Sequence, residues 1–204
     1  MPPVLYLASQ SPRRRQLLTQ IGVTPELLLP DADEDAEALE TERAGEAPRA
    51  YVERVTLNKL TAACARLARR GWPVAPVLCS DTTVALGSRI LGKPTDEADA
   101  LATLRQLSGH THAVLTAVAV AVPAAAGWQQ RLAVSVSHVR FAELPDDVLR
   151  AYVASGEPFG KAGAYAIQSS LAGWIPQIEG SYSGIMGLPL YETTQLLRDL
   201  GVHP

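Results

Sequence analysis

The first 22 residues run from an apolar stretch, Val4-Leu5-Tyr6-Leu7-Ala8, through Ser9-Gln10-Ser11-Pro12-Arg13-Arg14-Arg15, into Gln16-Leu17-Leu18-Thr19-Gln20-Ile21-Gly22. That order predicts a strand, a hydroxyl-rich turn and a helix start. Ser11 can cap the helix, Pro12 fits its first turn because it lacks an amide proton, and Gly22 can end it. The first-turn amides then lack partners and point outward with the positive end of the dipole, beside guanidinium groups that fork onto phosphate oxygens. A phosphate would sit there.

The remaining periodicity alternates between helical and extended without internal repeat, which favours a mixed α/β (α+β) architecture over a solenoid or bundle. With 204 residues, 47% of them apolar, the chain suits one domain with a substantial core. The net charge of −3 gives no support for stable nucleic-acid binding, whose footprint is strongly basic. No stretch approaches the roughly 18 apolar residues of a membrane span, and the start lacks the basic region of a signal peptide. Cys64 and Cys79 show no metal or redox spacing, so the chain reads as a reduced cytoplasmic protein.

The acidic, small-residue segment 30–47, with Asp31, Asp33, Glu34, Asp35, Glu37, Glu40, Glu42 and Glu46, reads as a solvated loop. A helix is expected from about Pro48 to Arg70, stopped by Gly71-Trp72-Pro73. On a helical wheel Lys59 falls inside its apolar stripe, where it either snorkels to water or aims a charge into a cleft. As a lone charge in such a stripe, its replacement in Lys59→Met is expected to preserve or raise thermal stability while lowering activity.

Val74 to Leu86 reads as a buried strand with a polar centre, Cys79-Ser80-Asp81-Thr82-Thr83. A buried carboxylate needs a partner. A hairpin through Gly87-Ser88 returns along Arg89-Ile90-Leu91 to Gly92-Lys93-Pro94, bringing Lys93 near Asp81, and Thr95-Asp96 opens a helix ending near Gly109. His110 and His112 have a spacing that zinc sites use, but no third ligand lies nearby, and Thr111 to Val122 reads as sheet. Pro123 should break that strand and open a turn running to Gly127, before a strand over Trp128 to Phe141. Pro145 to Ser155 is helical. Gly156 to Gly163 is a loop of special backbone positions that suits close approach to a ligand, and Pro189 begins a final helix to about Leu200.

Five motifs, Ser9-x-Ser11-Pro12-Arg13-Arg14, Ser80-Asp81-Thr82, Gly92-Lys93-Pro94, Lys161-Ala162-Gly163-x-Tyr165-x-Ile167-Gln168 and Gly180-Ser181-Tyr182…Gly187-Leu188-Pro189, occur in the order found in Maf proteins. The chain resembles that family of nucleotide pyrophosphatases over essentially its whole length. It looks closest to the branch acting on dTTP and UTP, which shares Arg13, Thr82 and Gln168 at its substrate-discriminating positions. The resemblance implies a fold like that of inosine triphosphate pyrophosphatase: a long mixed sheet flanked by helices, with a cleft between two lobes, usually in a homodimer. It also implies hydrolysis of a nucleoside triphosphate between the α and β phosphorus atoms with a divalent metal, magnesium or manganese. Asp81 corresponds to the family's proton acceptor, and Glu34 looks like its acidic-loop carboxylate, with Asp33 as a replacement. Ser169 and Ser183-Gly184 depart from the family's common residues in their loops.

The residues suit that chemistry on their own terms. A triphosphate carries about four negative charges, so cleavage needs cations where charge collects on the leaving pyrophosphate, and Arg13, Arg14, Lys59, Lys93 and Lys161 are available. Ser9 and Ser11 would orient phosphate oxygens. Glu34 and Asp81 form the sparse carboxylate set that magnesium takes, and Asp81 could accept the proton of its water. The carboxamide of Gln168, one donor and one acceptor, can match a uracil or thymine edge beside Thr82. Two alternatives are a non-enzymatic nucleotide- or nucleic-acid-binding regulator of cell division and a house-cleaning pyrophosphatase directed at purine or modified nucleotides. An aromatic content of 5% gives the regulator little base-stacking surface.

Overall fold

The computed structural model describes residues 4–32, 34–35 and 38–202. Asp33 and Glu37 of the acidic segment lie outside them. Seven strands form one mixed sheet in the order β2-β1-β3-β5-β6-β7, with β4 on the free side of β3. β1 (Tyr6–Leu7) is parallel to β2 (Glu26–Leu27) and β3 (Val77–Leu86). β4 (Arg89–Leu91), β5 (Thr111–Ala124), β6 (Gly127–Arg140) and β7 (Gln177–Glu179) all pair antiparallel. Helices cover both faces, so β5 is buried on both and reads as a continuous apolar run.

Alternation along β5 sorts the two sides of the core. Leu115, Ala117, Ala119 and Ala121 face α2 (Pro48–Arg69), packing against Val52, Val55, Leu60 and Leu67. Val118, Val120 and Val122 face the opposite layer, against Leu17 and Leu18 of α1 (Pro12–Gln20) and Leu196 and Leu197 of α6 (Leu190–Asp199). Farther along, α3 (Glu97–Leu107) and α4 (Asp146–Ala154) enclose Val114, Phe141 and Tyr165. Asp96 caps α3 by accepting the Asp99 N–H at 2.8 Å. The expected helices are thus present within a residue or two of their bounds.

Four features differ from the sequence expectation. Pro123 does not end β5: it pairs with Trp128, and the turn is only Ala125-Ala126. The β3 ladder stops at Ala121, so beyond it one side of β5 is an edge, where a residue without an N–H is tolerated. β3 begins at Val77 rather than Val74, which is 68% exposed. Ser11 sits at the extended cap position of α1, yet its side chain makes no capping bond; its backbone N–H donates to Ser9 Oγ at 3.2 Å. β2, β7 and three short 3-10 turns, among them Ala38–Glu40, were not foreseen.

Candidate active site

The sheet has a notch. β1 covers β3 only at Val77 and Leu78, and β4 only from Val84 to Leu86, so the edge of β3 from Cys79 to Thr83 has no strand beside it among the described residues. A cleft of about 490 Å³ opens there. Successive side chains of β3 point to opposite faces. Asp81 therefore reaches the α2 side, while Ser80 and Thr82 reach the side of α1 and α5 (Tyr182–Met186).

On the α2 side, Lys59 does not snorkel. Its Nζ donates to Asp81 Oδ1 at 2.5 Å and to Glu40 Oε1 at 2.7 Å. Lys93 donates to the second oxygen of Glu40 at 2.6 Å. The Glu40 backbone is held in turn by the Tyr51 hydroxyl, at 2.8 Å. Burial pushes the Lys59 ammonium toward neutrality, but the charges of Asp81 and Glu40 outweigh it and its pKa rises. Glu40 shows the mirror image: burial favours its acid form, Lys59 and Lys93 reverse this, and its pKa falls. Both partners are held ionised. The stability expectation for Lys59→Met is corrected accordingly, because removing this lysine leaves buried Asp81 without its ammonium partner, beside a Glu40 that keeps only Lys93.

Glu34 is placed elsewhere. Arg66 grips it through Nε at 2.8 Å and Nη2 at 2.5 Å, Arg69 adds a further bond at 2.5 Å, and Glu34 does not line the cleft. The Arg66 guanidinium, against the opposing effect of burial and with help from Arg69, holds its carboxyl down at about 2. Asp31, bonded to Arg70 and Arg69, is likewise held at about 2. Among the described residues, the acidic-loop carboxylate that reaches the cleft is Glu40. Its 19-residue separation from Lys59 has no helical meaning, and nothing in the sequence set it apart from the acids around it.

On the other side, Arg14 is committed to the protein. Nε donates to Gly187 O at 2.8 Å, Nη1 to Ser9 Oγ at 3.2 Å and Nη2 to Thr82 Oγ1 at 3.4 Å. Gly187 stands at a φ of +119°, beyond ordinary side-chain residues, and its carbonyl also accepts from Ser80 Oγ at 3.0 Å. Arg13 lines the cleft without a side-chain hydrogen bond to the described residues, as does Ser11. Lys161 lines it too, tethered to the Glu157 carbonyl. Its loop is drawn onto the β4 end by the Gly163 N–H, which donates to Gly92 O at 3.0 Å, and a Cβ on Gly163 would lie 2.8 Å from Val84. Gln168 is exposed and outside the cleft wall, which ends one residue earlier at Ile167.

His112 is no ligand. It is 2% exposed, bonds the Tyr165 hydroxyl through Nε2 at 2.7 Å and stacks on Phe141. Burial, with a smaller effect from His138, lowers its pKa to about 4, so it is neutral at pH 7. Among the described residues no three His, Cys, Asp or Glu side chains gather as a metal cage. No described helix is long and apolar enough to cross a membrane.

Residues 4–200 match the profile of the Maf-like proteins. The chain belongs to the Maf family. A dTTP/UTP pyrophosphatase of Cupriavidus metallidurans is 61% identical over 203 residues, the full length of both chains. One of Albidiferax ferrireducens is 58% identical over 98% of each, and one of Burkholderia pseudomallei is 60% identical over 96% of this chain and 93% of its own. The Maf motifs are the segments that build the notch: the first supplies Ser9 and Arg14, the second Asp81 and Thr82, the third Lys93, and the last Gly187.

Proposed function

We propose that this Maf protein is a nucleoside triphosphate pyrophosphatase that adds water across the α–β phosphoanhydride of dTTP and UTP, giving the monophosphate and pyrophosphate. The observation carrying the reading is the pair of carboxylates, Asp81 and Glu40, that meet on one cation in a cleft rimmed by Arg13, Lys93 and Lys161. Asp81 accepts the proton of the attacking water. Arg13, Lys93 and Lys161 face the charge that collects on the departing pyrophosphate, and Ser9 and Ser11 orient phosphate oxygens. Lys59 sets its ammonium against Asp81, and Arg14, which lines the cleft, positions Ser9 and Thr82 and keeps further N–H groups for phosphate.

A divalent cation, magnesium or manganese, fits Asp81 and Glu40: they are hard oxygen donors already converging on one positive centre, and two carboxylates with phosphate and water are the set magnesium takes. When bound, it supplies acidification of water and neutralisation of phosphate charge. Glu34, saturated by arginines, does not fit that role. Gln168 stands one residue past the cleft wall, and we assign its carboxamide N–H to a carbonyl of the base edge in the substrate complex, where its turn must move inward. The buried free thiols of Cys64 and Cys79 support a cytoplasmic protein, and the homodimer rests on the family likeness alone.

The test is pyrophosphate release from UTP, dTTP, CTP, GTP and 7-methyl-GTP, with and without magnesium. UTP and dTTP are expected to lead; no release from any of them ends the reading. In the nearly isosteric Asp81→Asn the fold should persist while turnover drops by about two orders of magnitude or more. Full activity of folded Asp81→Asn would remove Asp81 from its role.

A further inference from the structure

The neutral side of the notch holds a chain of hydrogen bonds with a fixed direction. Thr116 Oγ1 lies 2.7 Å from the Gly184 carbonyl, which can only accept, so the single hydroxyl proton of Thr116 is spent there. Thr82 Oγ1 lies 3.0 Å from Thr116 Oγ1. With the Thr116 proton committed, Thr82 must be the donor of that bond. Arg14 Nη2, which can only donate, approaches Thr82 Oγ1 at 3.4 Å from the other end. The polarity therefore runs from Arg14 through Thr82 and Thr116 to Gly184. Thr82 is half-buried and lines the cleft; Thr116 is 1% exposed and does not. The Thr82 hydroxyl, in the cleft wall, is left with one unused lone pair and no proton to offer.

We infer that Thr116 is a specificity-positioning residue: by taking the proton of Thr82, it makes Thr82 an acceptor-only reader of the pyrimidine ring. This rests on the pyrophosphatase reading above. Uracil and thymine carry one ring donor, the N3–H, between two carbonyls. Cytosine presents a bare N3 acceptor at the same place. An acceptor-only hydroxyl pairs with the first and opposes the second, leaving a buried acceptor unpaired, which a polar site punishes heavily. An unconstrained threonine would not discriminate, because its hydroxyl could rotate to donate to cytosine.

Thr116→Val keeps the shape and removes the proton sink. The Thr82 proton is then free to turn into the cleft, and the ratio of kcat/KM for UTP over CTP is expected to fall by about tenfold, mainly through KM, since a base contact is made alike in ground and transition states. Thr116→Ser retains the chain and should retain the ratio. Thr116→Ala repeats the test should the valine variant fail to fold. Adding Thr82→Val to Thr116→Val should produce no further loss of discrimination, because the two act through one bond. A ratio unchanged in a folded Thr116→Val or Thr116→Ala protein, with only melting temperature lowered, would make Thr116 a structural residue and overturn the inference. A wild-type enzyme that uses CTP as well as UTP would instead overturn the substrate assignment on which it rests.

Discussion

Two carboxylate clusters meet cations of α2, each drawing on the same acidic segment and the inner one also on Asp81 of β3, and they are wired differently. At the outer end Asp31 and Glu34 are gripped by Arg66, Arg69 and Arg70, with Arg66 forking onto Glu34 through two nitrogens. At the inner end Asp81 and Glu40 share the single ammonium of Lys59, with Lys93 on the far oxygen of Glu40. A guanidinium is a rigid planar fork that saturates a carboxylate; an ammonium is a compact point charge with rotatable donors. The outer cluster thus ties the loop down. The inner one leaves lone pairs available to a cation and ammonium groups available to phosphate.

Exchanging a carboxylate for its amide in each cluster should break the symmetry most. Glu40→Gln is expected to reduce pyrophosphate release by about tenfold to a hundredfold, through the loss of one of the two carboxylates that would hold the divalent cation, and to weaken the magnesium dependence. Glu34→Gln should leave turnover within about threefold, as expected of a group outside the reacting shell. Equal losses in the two variants, measured on folded protein, would erase the distinction drawn between the clusters.

Lys59→Met comes next, because it asks whether the inner lysine is structural as well as chemical. Loss of the shared cation should lower stability by about 2 kcal/mol in urea melts, less than the roughly 3–5 kcal/mol of a fully buried pair because these groups keep some solvent contact. Turnover should fall with it. A melting curve as stable as wild type would return Lys59 to an isolated lysine in an apolar stripe.

The smallest effect is acid sensitivity, and its larger part belongs to the outer cluster. Glu34 and Asp31 hold their protons only near pH 2 in the fold, below their ordinary values of 4.5 and 3.8. The unfolded chain takes up these protons first as pH falls, so the stabilisation is complete above about pH 4.5 and is lost from there down toward 2. His112 adds to the same slope from about pH 6.5 to 4, since its folded form resists protonation. Glu34→Gln should flatten the lower part of the stability–pH curve and leave the His112 part unchanged. A wild-type curve level from pH 4.5 to 3 would show that these ion pairs do not hold the loop.

Much of this molecule is local physics, and the sequence carried it. The strand–turn–helix start, the long helix bearing Lys59, the polar centre of β3 and the hairpin to Lys93 follow from periodicity, capping residues and glycine turns, and each lies within a residue or two of its expected place. The length of β1, the persistence of β5 through Pro123 and the existence of β2 and β7 do not, because they depend on which neighbouring strand is present to pair. The same division runs through the candidate site. Asp81, Lys59 and Lys93 were legible because a carboxylate in a buried strand and a lysine in an apolar stripe are anomalies that demand partners. Which carboxylate of the acidic segment joins them was not legible: Glu34 and Glu40 are chemically alike, and only the fold sends one to arginines and the other to the cleft. The commitment of Arg14 to Gly187, and the direction of the bonds through Thr82 and Thr116, join residues separated by 173 and 34 positions. Sequence sets which groups can donate or accept; the packed sheet and helices decide which of them meet, and hence which lone pair faces the substrate.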